Sequence, residues 1–329
     1  MKKISWGILS TAKIGLEKVI PAMQAGQYCE INAIASRDIR QAQKVAKLLN
    51  IKKAYGSYEE LLDDPSIQAV YIPLPNHMHI PWTLKALQAG KHVLCEKPIG
   101  LGTKEAQQLL DATRLYPHLK VMEAFMYRFH PKWQFVKKLV DDKTIGTIKT
   151  IQAFFSYYND DPDNIRNKKD IGGGGLMDIG CYCISQSRFI LGKEPIRVQG
   201  IVEYDDKMGI DTMASAMMDF GTNVSTFTCS TRLAPFQNIK IFGEKGLIDI
   251  EIPVNIPADE TTRIWVTVNG SKEEVLFEPH NQYTLQGDFF SKAILDDISV
   301  PTTLNDALNN MKVIEAIKES SKKGEWIKL

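Results

Sequence analysis

The chain has 329 residues, with 40 Lys and Arg set against 39 Asp and Glu for a net charge of +1. That balance, with no basic block and no basic patch interleaved with aromatics, favours neither nucleic acid nor an anionic membrane as a partner. The five cysteines, Cys29, Cys95, Cys181, Cys183 and Cys229, are odd in number and scattered, which argues against a disulfide framework and for a reducing compartment.

Met1-Lys2-Lys3 ahead of the apolar run 4–9 imitates a secretory signal, but Lys13, Glu17 and Lys18 soon interrupt it. No stretch approaches the roughly 20 apolar residues of a membrane span, so a cytoplasmic protein is expected. Short runs rich in β-branched residues recur at 4–9, 30–35, 69–74, 92–95 and 120–124. Helical patterns alternate with them, such as 39–49, where Ala42, Val45, Ala46 and Leu49 share a face. Ser57-Tyr58-Glu59-Glu60 reads as a capping box, and Ala86-Leu87-Gln88-Ala89-Gly90 as a helix ending on a glycine. This alternation predicts an α/β domain with a doubly wound parallel sheet, which binds ligands at the carboxyl ends of its strands.

Beyond residue 123 the pattern changes. Helices are expected over 131–141 and about 176–191, and strands over 147–157, 196–203, 212–220, 224–231, 238–242, 247–251, 263–268 and 274–277. Gly243-Glu244-Lys245-Gly246 reads as a hairpin turn. The prediction is an α+β C-terminal domain with a large, mainly antiparallel open sheet, followed by a helix over 304–322. The expected division is 1–123 for the first domain, 124–300 for substrate binding and dimerisation, and 301–329 for a helical segment returning to the first.

Three motifs carry the chemistry. Lys97 closes Val93-Leu94-Cys95-Glu96-Lys97-Pro98, at the end of an apolar strand between a carboxylate and a proline, where neighbours and desolvation tune its basicity. Pro73-Leu74-Pro75-Asn76-His77-Met78-His79 lies upstream, and Gly172-Gly173-Gly174-Gly175-Leu176-Met177-Asp178-Ile179-Gly180-Cys181-Tyr182 downstream. In this order they resemble the Gfo/Idh/MocA family of nicotinamide-dependent oxidoreductases, in its dihydrodiol and aldose (xylose) dehydrogenase branch. The resemblance implies that the first domain is a Rossmann fold and that the last helix returns to it. Neither Cys181-Tyr182-Cys183 nor the pair His77 and His79 has the company of a zinc set, so no metal is expected.

Ser10, Thr11, Ala12, Lys13 and Ile14 occupy the turn after the first strand, where a dinucleotide fold cradles pyrophosphate. Its glycine fingerprint is degenerate: Ser10 and Ala12 replace the first two glycines, and Gly15 keeps the third. Both replacements are small enough for close approach where φ is negative. After the second strand, Ser36 and Arg37 stand where an NAD-preferring fold places an acid for the ribose 2′-hydroxyl. A hydroxyl and a guanidinium suit a 2′-phosphate instead, so NADP is expected, with NAD as the alternative. Asp38 caps the next helix, and Asn76 is a good N-cap for the helix that follows it. The resemblance places the segment with Pro73, Leu74, Asn76 and His79 along the nicotinamide ribose, and Glu96 and Lys97 at the rim beside the nicotinamide.

Hydride transfer at a carbinol carbon requires a group that takes or returns the hydroxyl proton. Lysine and tyrosine start too high, at about 10.4 and about 10, and a cationic nicotinamide would lower both. Lys97 and Tyr182 are therefore a candidate pair, and the sequence does not assign the proton to either. Asp178 and Tyr182 are four apart on one helical face, continued by Ser185 and Phe189. Many family relatives have histidine where this chain has Tyr182, a departure that matches the branch named above. Arg128 is open to contact with substrate hydroxyls or the cofactor, or to packing alone, and Tyr157 and Arg166 are candidates to close over the substrate site. The expected activity is hydride transfer between NADP and a small sugar, polyol or vicinal diol. The expected assembly is a homodimer through the broad sheet, or a tetramer. Two other readings remain: an NAD-dependent glycosidase using transient oxidation, and a non-catalytic NADP(H) redox sensor.

Overall fold

The computed structural model describes residues 2–329; Met1, at the start of the signal-like run, lies outside them. The chain forms two units, one from 2–126 and Asn281–Leu308, the other from Tyr127–His280 and Asn309–Leu329.

In the first unit β1 (Ile4–Leu9), β2 (Cys29–Ala35), β3 (Lys53–Tyr55), β4 (Ala69–Ile72), β5 (His92–Cys95) and β6 (Val121–Glu123) form one parallel sheet in the order β3-β2-β1-β4-β5-β6. All of β4 is buried, as a covered parallel sheet requires. The order reverses between β1 and β4, which makes their carboxyl ends the switch point. β3 was not foreseen: its three residues are too few to show a period.

The connecting helices are α1 (Ile20–Gln24), α2 (Ile39–Leu48), α3 (Tyr58–Leu62), α4 (Asn76–Gln88) and α5 (Thr103–Thr113). Asp38 caps α2 by accepting from the Arg40 N–H, and Ser57 caps α3 by accepting from the Glu60 N–H at 3.1 Å. The capping box is not reciprocal, because the Glu60 carboxylate takes the Gly56 N–H rather than that of Ser57. Gly90, just beyond α4, has φ +73°, the left-handed conformation of a glycine helix stop.

The second unit holds α6 (Pro131–Asp141), β7 (Ile148–Tyr158), α7 (Cys181–Leu191), β8 (Arg197–Tyr204), β9 (Asp211–Asp219), β10 (Val224–Ser230), β11 (Arg232–Gly243), β12 (Gly246–Glu251), β13 (Thr262–Val268), β14 (Ser271–Phe277) and β15 (Ile327–Lys328). Its nine strands run β14-β13-β12-β11-β7-β10-β9-β8-β15, antiparallel except where β7 meets β10. The hairpin turn lies between β11 and β12 as expected. The expected helix at 176–191 begins with a π turn, Leu176–Gly180, and continues as α7.

The segment that returns to the first unit is 281–308, where 301–329 was expected. Its helix Gln282–Leu295 places Phe290 5.6 Å from the Trp6 ring and Ser291 Oγ 3.0 Å from Trp6 Nε1. Asp288 accepts from the Gln27 and Tyr28 N–H groups at 2.9 and 2.8 Å. The helix Leu304–Lys323 ends in the second unit, where Ser320 and Ser321 accept from the Gly200 and Val202 N–H groups of β8. All five cysteines are buried and none forms a disulfide. Among the described residues no helix is long and apolar enough to cross a membrane.

Candidate active site

In the first unit the loops at the carboxyl ends of β1, β2, β4 and β5 carry the expected cofactor residues. Ser10 has φ +146°, a region that favours glycine, and its Oγ accepts from the Ala12 N–H at 3.0 Å. The condition of a negative φ is therefore not met at Ser10: the residue replaces the fingerprint glycine but keeps a glycine-like backbone, held by its own hydroxyl. Thr11, Ala12 and Ile14 are half-buried and Lys13 is exposed, so the turn is open along its length.

At the end of β2, Ser36 is buried and Arg37 exposed. Asp38 is committed elsewhere. Its Oδ1 accepts from the Arg40 N–H at 3.0 Å and pairs with Arg40 Nε at 3.2 Å, and Arg40 holds its carboxyl below the ordinary value. Burial raises the Tyr58 phenol, with Arg37 and Ser10 pulling the other way, so Tyr58 joins the ends of β1 and β2. Sequence reasoning used Tyr58 only inside a capping motif and missed this placement.

At the end of β4, Pro73 and Leu74 are buried. Pro75 takes the N-cap position of α4 with ψ 148°, so Asn76 is the first helical residue and not the expected cap. Proline fixes φ and supplies the extended turn by itself. His79 is buried, its Nδ1 2.7 Å from the Pro98 carbonyl and its Nε2 2.7 Å from that of Leu74. Burial pushes its pKa down to about 4, against the pull of both carbonyls. His79, expected among the cofactor contacts, ties the loop after β4 to the loop after β5.

In that second loop Glu96 and Lys97 are half-buried, and the Lys97–Pro98 peptide is cis. The Tyr71 hydroxyl donates to Glu96 Oε1 at 2.5 Å, and the Lys97 N–H to Oε2 at 3.3 Å. Beyond Pro98, buried Glu123 accepts from the Ile99 N–H at 2.7 Å. The backbone on both sides of Lys97 is thus anchored by carboxylates.

In the second unit Asp178 lies in the π turn. Its Oδ2 accepts the Tyr157 hydroxyl at 2.5 Å and pairs with Arg166 Nε at 3.0 Å. Burial and then the Asp178 carboxylate raise the Tyr157 phenol. Asp178 in turn raises the Arg166 guanidinium, with a smaller contribution from Tyr182, and Tyr157, Asp178 and Arg166 form one hydrogen-bonded cluster. Tyr182 is buried between the rings of Phe155 at 6.1 Å and Tyr127 at 6.2 Å. Arg128 is buried as well: NH2 donates to Ser185 Oγ at 2.7 Å, and its guanidinium lies 5.4 Å from the Phe189 ring. Ser185 and Phe189, the continuation of the Tyr182 face, therefore serve to hold Arg128. No group of three or more His, Cys, Asp or Glu that could hold a metal ion occurs among the described residues.

Residues 4–122 match the oxidoreductase family with the NAD-binding Rossmann fold, GFO/IDH/MocA, and residues 133–249 match the GFO/IDH/MocA C-terminal domain.

The chain belongs to the Gfo/Idh/MocA oxidoreductase family.

It is therefore an enzyme with a nicotinamide-binding domain. Among similar family members, D-xylose 1-dehydrogenase (NADP(+)) 2 of Haloferax volcanii is 35% identical, over 98% of this chain and 99% of that protein. Trans-1,2-dihydrobenzene-1,2-diol dehydrogenase of Xenopus laevis is 34% identical over 84% and 81%. These two support the branch inferred from the three motifs. Among solved structures, KijD10, a 3-ketoreductase from Actinomadura kijaniata in complex with NADP and TDP-benzene, superposes with a TM-score of 0.90. It is 27% identical, covering 97% of this chain and 98% of that one. The loops described above fit a dinucleotide: an open turn with a glycine-like backbone after β1, and an exposed guanidinium after β2.

Proposed function

We propose that the enzyme transfers a hydride between NADP and a hydroxyl-bearing carbon of a small sugar, polyol or vicinal diol. The observation that carries the cofactor choice is Asp38. The acid near the β2 end that could grip a ribose 2′-hydroxyl is instead bound to Arg40 and to the start of α2, while Arg37 stays exposed. Arg37 and Ser36 would hold the 2′-phosphate, Ser10 to Ile14 the pyrophosphate, and Asn76, Glu96 and Lys97 the nicotinamide end. When bound, the nicotinamide supplies or accepts the hydride.

The chain's own residues manage the proton. Lys97 and Tyr182 take it from the substrate hydroxyl or return it, and Asp178 orients the reacting groups. Asp178 is itself fixed by Tyr157 and Arg166. With Arg166 engaged by Asp178, the cluster offers hydrogen bonds to neutral hydroxyls. Relatives named for NADP and for a sugar or diol support this reading.

The test is nicotinamide absorbance with NADP or NAD against aldopyranoses, inositols and aromatic dihydrodiols, repeated with Lys97→Met and Tyr182→Phe. Turnover with NADP on an aldose or diol, cut by about 10²–10⁴ in either variant, supports the assignment. Tight cofactor binding without turnover on any substrate would favour the glycosidase or the sensor.

We also propose a homodimer formed through the face of the nine-stranded sheet that carries the cross-strand row Ile201, Ser215, Thr228, Phe154 and Asn238. Ile201 is 75% exposed, and Phe236, against the Phe154 ring, is 55% exposed. Sedimentation as a compact monomer would overturn it.

A further inference from the structure

Asp211 opens β9, is 2% exposed, and takes no part in the chemistry described above. Its Oδ2 accepts from the Leu176 N–H at 2.5 Å, at the first residue of the π turn that leads into α7. The carboxylate reaches this N–H because Gly174 has φ +118° and no side chain: a Cβ there would overlap Asp211 Oδ1 and Cγ. Gly174 is linked in turn to the reacting cluster, since its carbonyl accepts from the Asp178 N–H at 3.0 Å. On the far side Lys318 Nζ, from the helix Leu304–Lys323, lies 3.5 Å from Asp211 Oδ1.

The start of a helix leaves N–H groups without intrahelical partners and attracts negative charge. A glycine run in that place ordinarily admits a ligand anion. Here the chain fills it with an internal carboxylate, countered by a lysine from its C-terminal helix.

We propose that Asp211 is a positioning residue for the oxidoreductase reaction: through Leu176 and Gly174 it sets the height and rotation of the turn bearing Asp178 and of the helix bearing Tyr182. The glycine run exists to admit this carboxylate and not a phosphate or substrate. This inference rests on the catalytic reading of Asp178 and Tyr182.

The test compares Asp211→Asn, Asp211→Ser and Lys318→Met in the full-length enzyme, with kcat, KM, NADP affinity by fluorescence titration and Tm, alongside Tyr182→Phe. The expected result is a kcat about tenfold lower in Asp211→Ser and a smaller loss in Asp211→Asn, well below Tm. NADP affinity, which the first unit sets, should be unchanged. A Tm loss with wild-type kcat makes Asp211 purely structural and overturns the proposal, as does an equal fall in kcat and cofactor affinity. If Asp211→Ser does not fold, Asp211→Asn and Lys318→Met decide by the same split. A fully active Tyr182→Phe would remove the catalytic reading, and Asp211 would then be judged by a thermal cycle with Gly174→Ala. Less than additive losses support the contact, and additive losses refute it.

Discussion

The Tyr157 hydroxyl meets Asp178 Oδ2 at 2.5 Å, which fixes the carboxylate of the π turn from the neighbouring strand β7. A hydrogen bond to a charged acceptor is worth about 1.5–3 kcal/mol, and its loss would leave the Arg166 ion pair in place. Tyr157→Phe should lower kcat about tenfold with NADP affinity unchanged. Steady-state kinetics with a cofactor titration check this, and an unchanged kcat would show that Arg166 suffices.

Arg37 is exposed at the end of β2 while Asp38 is occupied by Arg40. If Arg37 grips a 2′-phosphate, Arg37→Ala should raise KM for NADP by about 10–100-fold, the range of a charge-assisted hydrogen bond. The KM for NAD, which lacks that phosphate, should change little. A parallel rise for both cofactors would place Arg37 elsewhere on the nucleotide.

Asp64 gives the first unit an acid-sensitive point. Burial opposes its ionisation, but Lys53 Nζ at 2.8 Å, the Ser66 N–H at 3.0 Å and the Tyr55 hydroxyl at 2.8 Å together hold its carboxyl far below the usual range. A depressed folded-state value stabilises the protein above the unfolded value of about 3.9 and loses that contribution as pH falls further. Asp64→Asn should therefore lower Tm at neutral pH, and the gap to the parent should close as the solution is acidified. A gap constant with pH would show that the ion pair contributes nothing through ionisation.

Phe290 is fully buried against Trp6, so the helix Gln282–Leu295 is part of the first unit's core. Phe290→Ala should cost about 3–5 kcal/mol, the range for a buried aromatic. Denaturant unfolding measures it, and a loss below about 1 kcal/mol would mean that the segment contributes little to that core.

The parallel sheet was legible because its strands are short β-branched runs separated by helical periods, and both patterns are local. The helix stop at Gly90, the cap at Asp38 and the turn between β11 and β12 were legible for the same reason. Glu96-Lys97-Pro98 and the run from Gly172 to Tyr182 marked the family because motif order survives where glycine count does not. What a residue does once folded was less visible. The sequence shows His79 in a motif, and only the fold brings the Pro98 and Leu74 carbonyls to its two nitrogens. It shows four glycines, and only β9 brings Asp211 to them. It shows a serine in a glycine's place, and only the backbone after β1 reveals that Ser10 keeps the glycine's conformation. Periodicity, caps and turns are set within a few residues and can be read along the chain. Partners 19, 35 or 285 residues apart, as for His79 and Pro98, Leu176 and Asp211, or Trp6 and Ser291, meet only when the chain closes on itself, so tertiary structure decides them.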